Sequence, residues 1–343
     1  MPTRLRIAVD AMGGDYAPQA IVSGAVAAAM AARNRFEIIL VGDQEELEHR
    51  LSHVFHAKDL PITIYHASQQ VEMTDSPSIA LKEKRDSSIA VATRLHRDGL
   101  ADAVVSAGNT GAVLASALVS LRKIKGVIRP AIGSLLPNGH DVTLLIDAGT
   151  NVDCKPVHLL QFGFMGSIFY QKMIGKENPR VGLLNIGEEN SKGNEVSQKT
   201  YRLLKSSKLN FIGNIEGNEI LKGKVDVVLC DGFVGNIILK FAESFNKIYS
   251  SNLRKKIGRR LQYNVGAYLL KPAFMMLKKT FDYAEYGGVP LLGVNGVCII
   301  CHGSSSPKAI KNAIFEAEKI NNEHVNGHIE EVLGKFSEEK VGL

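Results

Sequence analysis

Five short runs of this 343-residue chain join glycine to asparagine, aspartate or serine. They are Asp10-Ala-Met-Gly13-Gly14-Asp15, Ser106-Ala-Gly-Asn109-Thr110-Gly111, Asp147-Ala-Gly-Thr-Asn151-Val-Asp153, Asn185-Ile-Gly-Glu-Glu-Asn-Ser-Lys192-Gly-Asn194 and Asp231-Gly-Phe-Val-Gly235-Asn236. Each follows an apolar stretch that reads as a strand and leads into a helical pattern. Glycine lets backbone N–H groups turn toward an anion, and the asparagines and Lys192 add side-chain donors. Singly, these residues form turns for local reasons. Five of them at the carboxyl edge of a parallel sheet predict a polar, anion-binding cleft. In the run from Val181 to Glu195 a mobile cation, Lys192, stands beside a helix start, which suits phosphate. Alone, that run reads more simply as a solvated turn. A sixth polar turn, His302-Gly-Ser304-Ser305-Ser306-Pro307, opens the last helix.

Other chemistries lack their residues. There is no G-x-S-x-G elbow, P-loop, full G-x-G-x-x-G or H-E-x-x-H. His49, His53, His56, His66 and His96 fall on surface-looking or connecting segments and make no triad. Asp147, Asp153 and Asp231 are acids of a kind that holds divalent cations, but they read as caps and turn acids, so neither metal nor cofactor is expected. Cys154 and Cys230 have no neighbouring base to activate them. Cys298-Ile-Ile-Cys301-His302 matches a haem-attachment spacing, yet positions i and i+3 of a strand face opposite ways, so two buried thiols are expected. What remains is chemistry without a protein nucleophile: an anionic substrate attacks or leaves, and the protein supplies positioning and positive charge.

The elements that must position these residues alternate. Strands are expected at Leu5 to Val9, Glu37 to Val41, Ile62 to Tyr65, Ala101 to Ser106, Pro130 to Leu136, Val142 to Ile146, Val181 to Asn185, Leu209 to Ile212, Val225 to Leu229 and Val294 to Ile300. Helices fall between most of them, including a long one from Pro156 to Met173. Alternation of this kind predicts a three-layer α/β/α fold with a mostly parallel sheet. The expected organisation is a main domain over 1–236, a protruding helical hairpin over 237–285 and a return to the main domain over 286–343. Within the hairpin, breaks are expected near Gly258, Gly266 and Pro272, and the charged tail from Asn326 is expected to fray.

Hydrophobic residues make up 45% of the chain, enough for a substantial core in a soluble protein. No run reaches the roughly 18 apolar residues that suggest a spanning helix. The first strand begins without an apolar leader, so a cytoplasmic protein is expected. The net charge of +6 is local. Lys247, Arg254, Lys255, Lys256, Arg259, Arg260, Lys271, Lys278 and Lys279 occupy one segment without an acid, and the rest of the chain is net negative. Phe274, Leu277 and other apolar residues interleave with these bases at helical spacing, as in a membrane-surface element. A basic helical hairpin in a dimer interface and a surface for an acidic protein are the alternatives. No motif supports nucleic acid.

Taken together and in order, Ile7 to Asp15, Ser106 to Ala112, Arg180 to Glu195, Asp231 to Asn236, Tyr286-Gly287-Gly288 and His302 to Ser305 resemble the bacterial phosphate acyltransferases of phospholipid synthesis, the PlsX enzymes. The resemblance runs from Arg6 to beyond Lys308. It implies a fold like isocitrate dehydrogenase and phosphotransacetylase, a homodimer, and peripheral attachment to an anionic membrane surface. It implies transfer of a fatty acyl group from acyl carrier protein to inorganic phosphate, giving acyl phosphate, with direct attack by phosphate and no covalent protein intermediate. It allows a downstream glycerol-3-phosphate acyltransferase as a further partner. Lys192 and Asn236 match the residues it makes catalytic. Asp10, Gly13, Gly14, Asn109, Thr110, Gly111, Asn151, Asn185, Asn194, Asp231, Gly235, His302 and Ser304 are the expected phosphate- or substrate-binding set. Arg254, Lys255, Arg259, Arg260, Lys271, Phe274, Leu277 and Lys278 are the expected membrane or carrier contacts. Thr150 and Cys154 depart from the family's Gly-Ala-Asn-Val-Asp-Ala pattern. A metal-dependent dehydrogenase of the isocitrate type and a non-catalytic basic lipid- or protein-binding module are the competing readings.

Overall fold

Among the described residues, short runs rich in valine, isoleucine and leucine supply eleven strands, and amphipathic or alanine-rich stretches supply the helices that cover them. The computed structural model describes residues 4–55, 57–139, 141–257, 261–280 and 283–335. The order begins β1 (Leu5–Asp10), α1 (Gln19–Ala32), β2 (Phe36–Gly42), α2 (Gln44–Ser52), β3 (Ile62–His66), α3 (Pro77–Glu83), α4 (Ser88–Arg97), β4 (Ala103–Ser106) and α5 (Thr110–Ser120). It continues β5 (Ala131–Pro137), β6 (Val142–Ile146), α6 (Pro156–Ile174), β7 (Val181–Leu184), α7 (Glu195–Lys205), β8 (Phe211–Ile215) and β9 (Val227–Leu229). It closes with α8 (Gly232–Ile257), α9 (Leu261–Leu269), α10 (Lys271–Thr280), β10 (Val289–Leu292), β11 (Val297–Ile300), α11 (Pro307–Asn322) and α12 (Val325–Leu333).

All strands join one sheet in the order β3-β2-β1-β4-β11-β10-β5-β6-β9-β7-β8. Side chains alternate between its faces. Ile7, Val9, Val105, Ile146 and Leu229 face the layer formed by α1, α6, α7, α11 and α12. Ala8, Val104, Ile132, Leu145 and Val228 face α3, α4, α5 and the start of α8. The fold is therefore three-layer α/β/α. Cys298 packs in one face layer and Cys301 in the other, as the strand period requires.

One expectation fails in an instructive way. The polar strand ends do not lie along one edge. β1, β2, β3, β4 and β11 form one parallel group, and β6, β7, β8 and β9 form another. Between them β10 is antiparallel to β11 and β5, and β5 is antiparallel to β6, so the groups run in opposite directions. The register brings their carboxyl ends together all the same. Ser106 pairs with Ile300 and Ile300 with Val289, while Leu291 pairs with Ile132 and Gly133 with Ile146. Ile146 thus sits about one residue from the level of Ser106. The groups are staggered, and both end at mid-sheet from opposite sides.

Three further boundaries differ from expectation. α9 runs through Gly266 without a break, while the break expected near Pro272 comes at Leu270, which puts Pro272 in the first turn of α10, where a missing N–H is harmless. Gly258 lies outside the described residues. The tail from Asn326 does not fray at once: Val325, Ile329 and Leu333 recur every fourth residue, are buried, and dock α12 into the core. The strand expected at Leu209 forms at Phe211–Ile215.

The strands of the second group are locked at their start. Asp226, buried before β9, accepts from the backbone N–H of Arg180 (2.7 Å), from its guanidinium (3.0 Å) and from the Lys176 ammonium (2.8 Å). Burial works against this charge, but the Arg180 and Lys176 bonds prevail and hold the carboxyl below its ordinary range. Asp226 is buried but its cationic partners are partly exposed and return to solvent when it is removed, so Asp226→Asn should lower stability by about 1–2 kcal/mol at pH 7. A lowered native pKa gives stability that is present above the unfolded value of about 3.9 and lost as pH falls through the native one. Urea midpoints of the two proteins should therefore converge in acid.

Candidate active site

β6, β9 and β7 are neighbours in register, Ile146 with Leu229 and Leu229 with Leu183, so their three polar loops leave the sheet side by side. After β6 the chain turns around the buried Asp147 carboxylate. It accepts from the N–H groups of Ile132 (3.1 Å), Gly149 (3.2 Å), Thr150 (3.1 Å) and Asn151 (2.7 Å), and from the Asn151 amide (2.8 Å). Burial raises its pKa, and these donors pull against that rise. The Asn151 amide also donates to the Pro130 carbonyl (2.7 Å), so its polar atoms hold the loop.

After β9, Asp231 accepts from the Val234 N–H (2.8 Å) and caps α8. The first turn of α8 lies flat on the Asp147 loop. A Cβ at Gly235 would collide with the Asp147 carbonyl oxygen, and one at Gly232 would stand 2.8 Å from the Thr150 nitrogen. Gly149 has φ +144° and faces Asn236, whose Cβ would be 3.5 Å from an added methyl. Asn236 itself is exposed on the outer side of this turn.

After β7, the Asn185 amide donates to the Lys192 carbonyl (3.1 Å) while its oxygen accepts from the Ile186 N–H (2.9 Å). Asn214 donates to the Glu189 carbonyl (2.7 Å), and the Lys192 N–H bonds the same oxygen (3.1 Å). Asn194 caps α7 by accepting from the Ser197 N–H (2.9 Å). The loop is thus held by its own backbone, and the Lys192 side chain projects into solvent. Among the described residues no carboxylate pairs with it.

The first strand group builds a matching turn. Buried Asp10 accepts from the Ser106 hydroxyl (2.6 Å) and the Met12 N–H (3.3 Å), and burial raises its pKa against these bonds. Gly13 packs on Asp10 and Gly108, and Gly14, at φ +109°, packs on Ala107 and Gly303. Asn109 caps α5 through the Ala112 N–H (3.0 Å) and spends its amide on the Met73 (2.9 Å) and Asp75 (3.0 Å) carbonyls. Thr110 and Gly111 form the first turn of α5, with Gly111 against Pro77. His302 Nδ1 receives the Ser304 N–H (3.1 Å), and the Ser304 hydroxyl lies 2.8 Å away. A backbone N–H can only donate, so Nδ1 accepts and the proton of the neutral ring sits on Nε2.

That Nε2 lies 4.0 Å from the Glu243 carboxylate of α8, which also holds the Lys240 ammonium at 3.0 Å. α8 therefore carries the second strand group to the first. Leu239 packs beside Val113, Ala148 and Val289 in the same junction. The structure thus brings Asn151, Asn185, Lys192, Asn194, Asp231, Gly235 and Asn236 to one wall, and Asp10, Gly13, Gly14, Asn109, Thr110, Gly111, His302 and Ser304 to the other. Sequence reasoning missed Lys240 and Glu243. Their signal was available, since they follow Asn236 by four and seven residues on one helix face.

It also missed an apolar rim. Ile186 and Val152, on the loops after β7 and β6, and Phe233 and Ile237, at the start of α8, are exposed, Ile186 by 81%. Burial pushes the Cys154 and Cys298 thiols up to about 12 and raises Cys230 and Cys301 as well, so none is a ready nucleophile. Among the described residues no cluster of three or more histidine, cysteine or acidic side chains is placed to hold a metal. In the basic segment Lys255 and Lys271 are exposed and Phe274 is half-buried. Arg259, Arg260 and the side chains of Arg254, Leu277 and Lys278 lie outside the described residues.

Known proteins share both the fold and the sequence. Residues 5–328 match the family model described as a fatty acid synthesis protein. The chain is 51% identical over 334 residues to the phosphate acyltransferase of Syntrophotalea carbinolica, covering 97% of this chain and 95% of that one. It is 51% identical over 315 residues to the phosphate acyltransferase of Pelotomaculum thermopropionicum, covering 92% and 91%. Among solved structures, a phosphotransacetylase from Streptococcus pyogenes superposes with a TM-score of 0.62 at 17% identity, over 95% of each chain. A branched-chain phosphotransacylase from Enterococcus faecalis gives 0.58 at 12% identity, over 92% of this chain and 99% of its own. The likeness to the solved structures is one of fold. Identity near one half along almost the whole length is one of family, and the chain belongs to the phosphate acyltransferases.

Proposed function

We propose that this enzyme transfers a fatty acyl group from acyl carrier protein to inorganic phosphate, releasing acyl phosphate for phospholipid synthesis. The observation that carries this reading is that Lys192, exposed and with no carboxylate partner among the described residues, and Asn236 follow two adjacent strands, β7 and β9, near exposed apolar side chains. Phosphate binds against the Gly/Asn turns and the Lys192 ammonium. One of its oxygens attacks the thioester carbonyl, whose oxygen gains negative charge in the tetrahedral intermediate. Lys192 and the Asn236 amide stabilise that charge. The carbon–sulfur bond then breaks. A thiol with a pKa of about 8.5 leaves as thiolate and takes its proton from water, so no strong acid is required. The four thiols, all raised in pKa, favour direct attack over a covalent cysteine intermediate.

The apolar rim of Ile186, Val152, Phe233 and Ile237 supports an acyl chain as the transferred group. His302, held as an Nε2–H donor, orients the donor substrate from the opposite wall. The basic segment suits an acidic carrier protein and an anionic membrane surface, and no helix among the described residues is long and apolar enough to cross a membrane. We place the enzyme in the cytoplasm as a peripheral membrane protein. On α8, Phe241, Phe245 and Tyr249 are exposed and stack at 6.3 and 6.2 Å, a face suited to a second copy of the chain. In this reading 237–285 is a helical hairpin insertion, although α8 begins at Gly232 and runs unbroken across its start.

Purified enzyme given acyl-carrier thioester and phosphate should yield hydroxamate when trapped with hydroxylamine. Lys192→Ala and Asn236→Ala should each lower kcat by about 100-fold or more, the scale of losing one oxyanion donor. Thioester consumption that ignores phosphate would sink the reading. Burying one large aliphatic side chain is worth about 1.5–3 kcal/mol. Ile186→Asp or Ile237→Asp should therefore raise KM about tenfold or more for long-chain donors and leave short-chain donors nearly unaffected. Met275→Asp with Met276→Asp, at exposed positions of α10, should release the enzyme from anionic vesicles in a flotation assay while sparing turnover of soluble substrate. Loss of the dimer in sedimentation instead would assign that surface to subunit contact.

A further inference from the structure

The turn that carries Lys192 is pinned by side-chain amides from three elements. Its backbone closes through the Lys192 N–H and the Glu189 carbonyl (3.1 Å). That carbonyl also accepts from the Asn214 amide of β8 (2.7 Å). The Lys192 carbonyl accepts from Asn185 at the end of β7 (3.1 Å). Gln198 of α7 donates to the carbonyls of Ser191 (2.8 Å) and Gly193 (3.3 Å). The N–H and the carbonyl of Lys192 are both fixed in this way. Its stem lies across Gly187, where a methyl group would stand 3.0 Å from the Lys192 Cγ and 3.0 Å from a Glu189 carboxylate oxygen. A lysine stem rotates freely, so fixing its base removes in advance part of the entropy lost when the ammonium meets an anion.

Asn214 holds its bond against an unfavourable background. It is 6% exposed and pairs with Leu183 inside the β7–β8 ladder. Its Oδ1 is buried with no hydrogen-bond partner among the described residues. A dry amide oxygen destabilises, and an apolar side chain of similar shape would avoid it. Packing does not call for asparagine at this place. The bond to the Glu189 carbonyl does.

We propose that Asn214 and Gln198 are positioning residues for acyl transfer, holding the backbone from Glu189 to Gly193 so that the Lys192 ammonium meets phosphate and the thioester oxyanion from a fixed origin. Neither touches substrate, and both act through the lysine. The inference rests on the acyl-transfer reading of Lys192.

Steady-state kinetics of the full chain with acyl-carrier thioester and phosphate, beside urea unfolding, test it. Asn214→Leu removes the donor together with the dry oxygen, so its urea midpoint should match the parent's or rise. Its kcat should still fall about tenfold or more, since a misplacement of about 1 Å can cost about 100-fold. The KM for the acyl donor should hardly change. Gln198→Leu, at a half-buried position of α7, should show the same pattern and stands as the test if the core variant does not fold. Built on Lys192→Ala, each should cost nothing further, because a residue that acts through the lysine has no role without it. A merely structural contribution would multiply with the Lys192 loss. Parent-like turnover in either folded variant, or multiplied losses in the double variants, overturns the positioning role and leaves Lys192 in place. Full turnover in Lys192→Ala would overturn the reading of Lys192 itself, and this inference with it.

Discussion

The approach of α8 to the Asp147 loop governs the geometry of the site. Gly232 and Gly235 bring the helix so near the backbone of residues 147–151 that a methyl group at either position would meet main-chain atoms. Any side chain there must lift the helix or open the loop. With the contact made, Asn236 sits over Gly149, and the helix axis is fixed. Lys240 and Glu243, further along the same face, are then carried to the His302 turn on the other strand group. A close backbone contact at one end of α8 thereby fixes how that helix spans two oppositely directed half-sheets.

The two walls solve the same problem with the same device. Each of the two turns is organised by a buried aspartate, Asp10 in one and Asp147 in the other, gathering N–H donors from its own loop and a hydroxyl or N–H from a neighbouring strand, Ser106 for Asp10 and Ile132 for Asp147. A buried carboxylate is tolerable only when its oxygens are satisfied, and here the donors are the backbone groups the turn must orient anyway. The asparagines act similarly. Asn109 and Asn194 cap helices, while Asn151 and Asn185 tie loops to neighbouring carbonyls. Their polar atoms are largely occupied. The exposed Lys192 and Asn236 are not among these ties, and the segments that carry them are held by their own backbone and capping bonds. Donors carried on a frame of this kind stabilise developing charge with little reorganisation.

Most elements were legible in sequence because the periods of strand and helix differ, and the strands from Leu5 to Val9 and Val142 to Ile146 fall almost where the pattern places them. Strand direction was legible only in part: the short turn Pro137-Asn138-Gly139-His140 announces β5 and β6 as an antiparallel pair, but the opposed direction of the two groups was not. It is decided by the antiparallel pairings of β5 and β10 at the centre, which a βαβ pattern does not announce. Gly266 misled because a single glycine weakens a helix without ending it. The tail misled because its charges hide the four-residue spacing of Val325, Ile329 and Leu333. The polar motifs could be found by composition, whereas the contact of Glu243 with His302 joins residues far apart in sequence and depends on the stagger of the sheet.

Exposure is the other quantity that sequence conceals. Phe233, Ile237, Phe241 and Phe245 read as the inner stripe of an ordinary helix, yet they face outward. A contiguous apolar surface of this kind is unusual on an isolated soluble chain and marks a surface that meets something else. α8 has 26 residues, which at about 1.5 Å per residue is roughly 39 Å. Its first turn carries Asn236, and its far end enters the basic segment. A helix of that length cannot shift at one end without moving the other unless it bends. Whatever covers the outward stripe therefore also bears on the position of Asn236 over Gly149, so the surface and the site are parts of one rigid element.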